Sequence, residues 1–173
     1  MDRIGKSMTG EEMSEWLVGS RVMTYKQLGD EVKRGANLDD VLGPYGVLVL
    51  LYQLDERHGH WTLVFRRGRD VVECFDSYGY TPDDEFSFVP KGMHKRTNQD
   101  YRYLTQLLYK LPYRIEYNEE PLQADGAGIA TCGRHCIARY SFRDMSIAEY
   151  QRRFGRYDMD AVVARAIPNL PPP

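Results

Sequence analysis

The chain has 173 residues, 42% hydrophobic and 28% charged, the composition of an ordinary folded protein with enough length for a sizeable core. Its formal net charge is −2, so no global attraction draws it to nucleic acid or an anionic membrane. No apolar run nears the ~18 residues of a membrane span, the polar start Met1-Asp2-Arg3 is no secretory signal, and three cysteines form no paired framework. The expectation is one domain over 1–173, a monomer with free thiols in a reducing, intracellular compartment.

The N-terminal part, 1–45, reads as helical. Thr9-Gly10-Glu11-Glu12 is a capping box, in which hydroxyl and carboxylate satisfy each other's backbone donors. It opens a short helix with Met13, Trp16 and Leu17 on one face. Thr24 and Gln27 repeat the signature before Leu28 and Val32, and Gly35 stops that helix. Residues 37–42 add a turn, ended by Gly43-Pro44. None of this carries evident chemistry.

The region 46–117 reads as a sheet. Val47-Leu48-Val49-Leu50-Leu51-Tyr52 is a short continuous apolar run, which suits a strand buried on both faces. Trp61 to Phe65 and Val71 to Phe75 are two more strands, joined through Gly68 as an antiparallel hairpin. His60 stands at the start of one and Asp76 at the end of the other. Those ends are neighbours in an antiparallel pair, so the hairpin brings imidazole and carboxylate together. Residues 77–99, rich in Gly, Pro, Asp and Ser, read as an irregular surface loop. Leucines 104, 107, 108 and 111 have helical spacing, and 113–117 alternate as a strand. In 118–170 a loop holding Gln123 precedes a helix that starts at Cys132. Ser146-Ile147-Ala148-Glu149 is a third capping box for a helix ending at Gly155, and a last helix spans 158–167. Helices, a mainly antiparallel sheet, then helices make an α+β fold.

The order His60, Asp76, Gln123, Cys132 suits a thiol nucleophile with its base, orienter and oxyanion donor. Cysteine attacks as the thiolate, so its pKa, ordinarily about 8.5, must come down. The first turn of a helix and a neighbouring imidazolium both favour the anion. Asp76 would hold the other ring nitrogen. The Gln123 amide and the Cys132 backbone N–H would meet the developing oxyanion. Gly133, without a side chain, leaves room for substrate backbone beside the thiol.

Gly59-His60-Trp61, an acid after the following strand, a glutamine and Cys132-Gly133 together resemble the adenovirus-protease (adenain) and SUMO-protease clan of cysteine peptidases, over roughly residues 46–142. Residues 130–136, Ala-Thr-Cys-Gly-Arg-His-Cys, are most similar to the adenain-like proteases of large DNA viruses, virophages and related mobile elements. The resemblance implies a papain-like-clan arrangement, with His60 as base, Asp76 as third member, Gln123 in the oxyanion hole, Cys132 as nucleophile and Trp61 flanking the substrate channel. It further implies a protein substrate cut after glycine, either a capsid precursor or a ubiquitin-like protein, in host cytoplasm or virion; no resident cofactor and no metal are expected. Adenain has Glu where this chain has Asp76, though Asp is common in the clan.

Other readings attach to the same residues. Cys136, one turn past Cys132, is a rival nucleophile, a redox partner or a core residue. Cys132, His135 and Cys136 could ligate zinc in a non-catalytic module, but a structural zinc usually wants a second pair of ligands. His58 and His60 could pair on a metal, with His58 more simply a solvated loop residue. His135 and His94 show no partner in the sequence. Arg66, Arg67 and Arg69, and Lys91, His94, Lys95 and Arg96, are basic sets read as solvated surface; adenain uses DNA as a cofactor, but nucleic acid is not the expected partner at this net charge.

Overall fold

The computed structural model describes residues 3–171; most of the polar start and of the proline tail lies outside the described residues. A sheet runs in the order β1 (Arg21–Thr24), β2 (Val47–Gln53), β3 (Gly59–Arg67), β4 (Val71–Phe75), β5 (Arg114–Tyr117). The central strands pair antiparallel, as the hairpin pattern requires. β1 joins β2 and β5 joins β4 in parallel, so the sheet is mixed. β1 breaks the expected all-helical N-terminal part. Its four residues sit between two capping boxes and are too few to show a period of two.

Helices cover both faces. Along β2, Val47 and Val49 point one way, and Leu48, Leu50 and Tyr52 the other, which is why that run is apolar throughout. The Leu48 face is covered by α2 (Tyr25–Lys33), α3 (Leu38–Leu42) and, after a short α4 (Lys91–His94), α5 (Tyr103–Tyr109). The Val49 face is covered by α1 (Gly10–Trp16), α6 (Cys132–Ser141), α7 (Ile147–Phe154) and α8 (Met159–Ala166). Thr9 and Thr24 form two of the three predicted capping boxes, and Asn37 with Asp40 forms another. At α7, Ser146 accepts the Glu149 N–H as a simple cap.

One buried ion pair helps to position the site. Arg139 of α6, fully buried, forks onto fully buried Glu73 of β4 at 2.7 and 2.8 Å, with its remaining donors on the carbonyls of Phe142 and Met145. This ties α6 to the strand that ends beside Asp76. Residues 77–99 are not the expected irregular surface loop. They hold two 3-10 turns (Asp84–Ser87 and Lys95–Thr97) and α4, and Asp83, Glu85, Thr97, Asn98 and Gln99 are buried. The Tyr52 hydroxyl donates to Asp83 at 2.9 Å, and the Gln99 amide bonds both N–H and C=O of Gln53. Short polar side chains here satisfy strand-edge and turn backbone, so a loop-like composition is packed inward.

Candidate active site

The two hairpin strands are unequal. β4 stops pairing at Phe75, opposite Leu63, while β3 runs back to Gly59. Continuing the register puts Asp76 opposite Thr62, so Asp76 and His60 are diagonal neighbours on one face. His60 Nε2 lies 2.9 Å from Asp76 Oδ1, with both side chains at most 4% exposed. The end of β3 beyond Phe75 is an open notch. The Trp61 N–H, unused by β4, donates into it and reaches Cys132 Sγ at 3.4 Å.

Cys132 opens α6 with its sulfur close enough to His60 for the two side chains to shift each other's pKa. With Nε2 on Asp76, Nδ1 is the nitrogen left for sulfur. Burial works against both charges here. It is outweighed at His60 by the Asp76 carboxylate and the Cys132 sulfur, which raise the imidazole pKa to about 10. At Cys132 burial is outweighed by His60 and by the Trp61 and Gly133 N–H groups, which bring the thiol below its usual value. Thiolate and imidazolium thus stabilise each other. Tyr78 stacks on His60 at 4.7 Å between centroids and Phe88 meets it edge-on at 5.6 Å, fixing the ring plane.

A cleft of about 1130 Å³ opens over this group, lined by His60, Trp61, Tyr78, Gln123 and Cys132 among others. Its lining also includes Met8, Thr9 and Gly10, so the N-terminal segment is part of the site, which the sequence did not suggest. The Trp61 indole N–H is anchored on the Met8 carbonyl at 2.9 Å. Gln123 accepts the Ser77 hydroxyl at 2.6 Å through Oε1, and Nε2 lies 3.3 Å from the Tyr78 hydroxyl. Gly133 departs from expectation. It is buried and outside the cleft lining, and a Cβ there would meet Met13 Sδ at 2.9 Å and Met8 Cβ at 3.0 Å. Close packing of α6 on α1, rather than room for substrate, requires glycine.

Cys136 is fully buried, donates to the Trp61 carbonyl, and its thiol is pushed well above the usual value by burial and then by the Cys132 and Asp76 charges. Cys74 is likewise buried, with its thiol raised, and all three cysteines are free. Cys132, His135 and Cys136 take separate partners, and among the described residues no three His, Cys, Asp or Glu side chains are grouped to hold a metal ion. His58 is exposed and pairs with Asp55 at 2.8 Å. His94 contacts the Val89 carbonyl, and His135 meets Asp160 at 2.9 Å. Of the basic sets, Arg66, Arg67 and Arg96 are spent on Asp39, on Glu73 and Glu116, and on Glu56.

Sequence reasoning missed Glu85. It is 2% exposed, and burial followed by the Asp76 charge lifts its pKa well above the carboxylate range. Asp76 Oδ2 and Glu85 Oε2 are both buried without a donor as long as both groups are ionised. A protonated Glu85 supplies that donor to Asp76. Its acidic neighbours differ from it: Asp83 is also buried but bonded to Tyr52 and Thr105, and Asp84 is exposed, so only the tertiary contact with Asp76 singles Glu85 out.

No protein-family model matches the chain. It is 40% identical over 115 residues to the uncharacterized protein V9 of Sputnik virophage, and the match spans 66% of this chain and 66% of that relative's length. Among solved structures it is similar to the ASFV pS273R protease, at 15% identity and TM-score 0.46 over 98% of this chain and 71% of that one. It is also similar to the C-terminal Ulp1 protease domain in complex with Smt3, the yeast orthologue of SUMO, at 12% identity and TM-score 0.44 over 94% and 75%. The Chlamydia trachomatis effector Cdu1, solved bound to ubiquitin, gives 14% and 0.41 over 98% and 97%. At identities and scores this low, a likeness says nothing of substrate or site residues. No helix among the described residues is long and apolar enough to cross a membrane.

Proposed function

We propose that the chain is a cysteine endopeptidase of the adenain and SUMO-protease clan, acting on a protein substrate. The observation that carries this is the buried Cys132–His60–Asp76 alignment at the floor of an open cleft, with the thiol pKa lowered and the imidazole pKa raised. The Cys132 thiolate attacks the scissile carbonyl carbon. A C–S bond forms and the carbonyl π pair moves to oxygen. The Cys132 N–H and the Gln123 amide are the donors for that oxyanion; Ser77 holds the Gln123 Oε1, which leaves its NH₂ end on the Tyr78 side. The tetrahedral adduct collapses, the C–N bond breaks, and His60 gives its proton to the departing amine. Water then attacks the thioester, His60 takes the proton, and the thiolate leaves. Trp61 forms the wall beside the thiol.

The virophage relative favours a viral setting, hence a capsid precursor as substrate. A ubiquitin-like protein is the second reading within the same chemistry. A thiol-reactive peptide ending in Gly-Gly should label wild type and fail on Cys132→Ala; labelling that survives, or moves to Cys136, removes Cys132 from its role. Cleavage of a capsid-like Gly-Gly peptide, set beside SUMO, NEDD8 and ubiquitin substrates, separates the two readings.

A further inference from the structure

The two proposed oxyanion donors come from different segments, Gln123 from a loop and the Cys132 N–H from α6. They act on one oxygen only if those segments keep a fixed spacing, within about 0.5 Å. Asp160, in the first turn of α8, bridges them and is 5% exposed. Its Oδ2 accepts the N–H of Ala124, the residue after Gln123, at 2.8 Å. Its Oδ1 accepts the hydroxyl of Thr131, the residue before Cys132, and faces His135 Nε2 of α6 at 2.9 Å. Thr131 occupies the N-cap of α6, yet its hydroxyl is turned to Asp160 and no side chain caps that helix. No side chain takes the first-turn N–H groups that a capping threonine would bond, and the Gly133 N–H helps to lower the Cys132 thiol pKa instead. Burial opposes the charge on Asp160, but the His135, Thr131 and Ala124 donors outweigh it and keep the carboxyl below its usual range.

We propose that Asp160, backed by His135, is a positioning residue for the oxyanion site. It clamps the loop that carries Gln123 to the start of the nucleophile helix, and it withholds Thr131 from capping that helix. This rests on the thiol-peptidase reading.

Two reactions of Cys132 separate this role from a merely structural one. Alkylation by iodoacetamide needs the thiolate and no oxyanion donor. Hydrolysis of a fluorogenic Gly-Gly peptide needs both. In Asp160→Ala the pH profile of alkylation should stay close to wild type, while kcat falls roughly tenfold to a hundredfold, with little change in KM. A Gly-aldehyde peptide, whose hemithioacetal oxygen occupies the oxyanion position, should lose affinity in parallel. Asp160→Asn, which keeps one accepting oxygen, should lie between. Thermal melts report whether each variant folds; should Asp160→Ala not fold, Asp160→Asn and Thr131→Val carry the same comparison. An equal fall in alkylation and hydrolysis, or unchanged kcat, overturns the clamp alone. Wild type that alkylates selectively at Cys132 but hydrolyses nothing overturns the peptidase reading, and the clamp with it.

Discussion

At the scale of the residue, Cys132 and His60 are each defined by the other. The imidazole pKa, about 10, lies above the lowered thiol pKa, so the ion pair persists through the interval between them. Alkylation of Cys132 should therefore already be fast at pH values where an ordinary thiol, pKa about 8.5, is mostly protonated. In His60→Ala the leading influence left on the thiol is burial, which raises its pKa. The alkylation profile should shift alkaline, and thiolate absorbance at 240 nm against pH reports it; an unshifted profile would detach His60 from the thiol. Asp76→Asn removes the charge that most strongly raises His60. The upper limb of the activity profile should move to lower pH, with kcat down at least ~tenfold. Cys-Gly after a Gln loop, with Gly-His-Trp far upstream, made these residues legible as chemical types in order. The loss of Gly133 from the substrate list was not legible, because its neighbours Met8 and Met13 are over a hundred residues away in the chain.

At the scale of the element, the hairpin and α6 do the positioning. β3 outruns β4, which opens the notch, and the Arg139–Glu73 pair locks α6 to β4. Arg139→Ala leaves the Glu73 charge buried, apart from its 3.3 Å contact with Arg67, and orphans two carbonyls. That should cost about 3–5 kcal/mol, or roughly 6–20 °C in melting temperature for a chain of this size. A loss below 1 kcal/mol by denaturant titration would show that α6 is held by its apolar face instead. The hairpin was readable because strand period, Gly68 turn and register are local. β1 was not, being four residues long with its partner about 27 residues away. Residues 77–99 misled for a related reason: their composition is that of a loop, and the backbone groups they satisfy belong to β2 and α5.

At the scale of the whole molecule, two buried acids set opposite pH dependences. Glu85 has a folded pKa well above 4.5, so the folded state holds a proton that the unfolded chain releases. Its contribution is full below pH 4.5 and is lost as pH rises toward the folded pKa. Glu85→Gln mimics the protonated acid and can still donate to Asp76. It should raise the melting temperature at pH 8 more than at pH 5; equal shifts would remove Glu85 from this role. Asp160 has the reverse sign: its folded pKa lies below 3.8, so its stabilisation is full above 3.8 and is lost as pH falls through the folded value. The sequence by itself determined the α+β class, the central hairpin and the four residue types in order, because hydrophobic period, turn glycines and caps act over a few positions. Only the tertiary structure decided which of three cysteines has an imidazole beside it, why glycine follows the thiol, and that Glu85 and Asp160 stand behind the site. Those depend on burial and on partners dozens of residues apart, and desolvation becomes a charge effect only once the chain has closed around it.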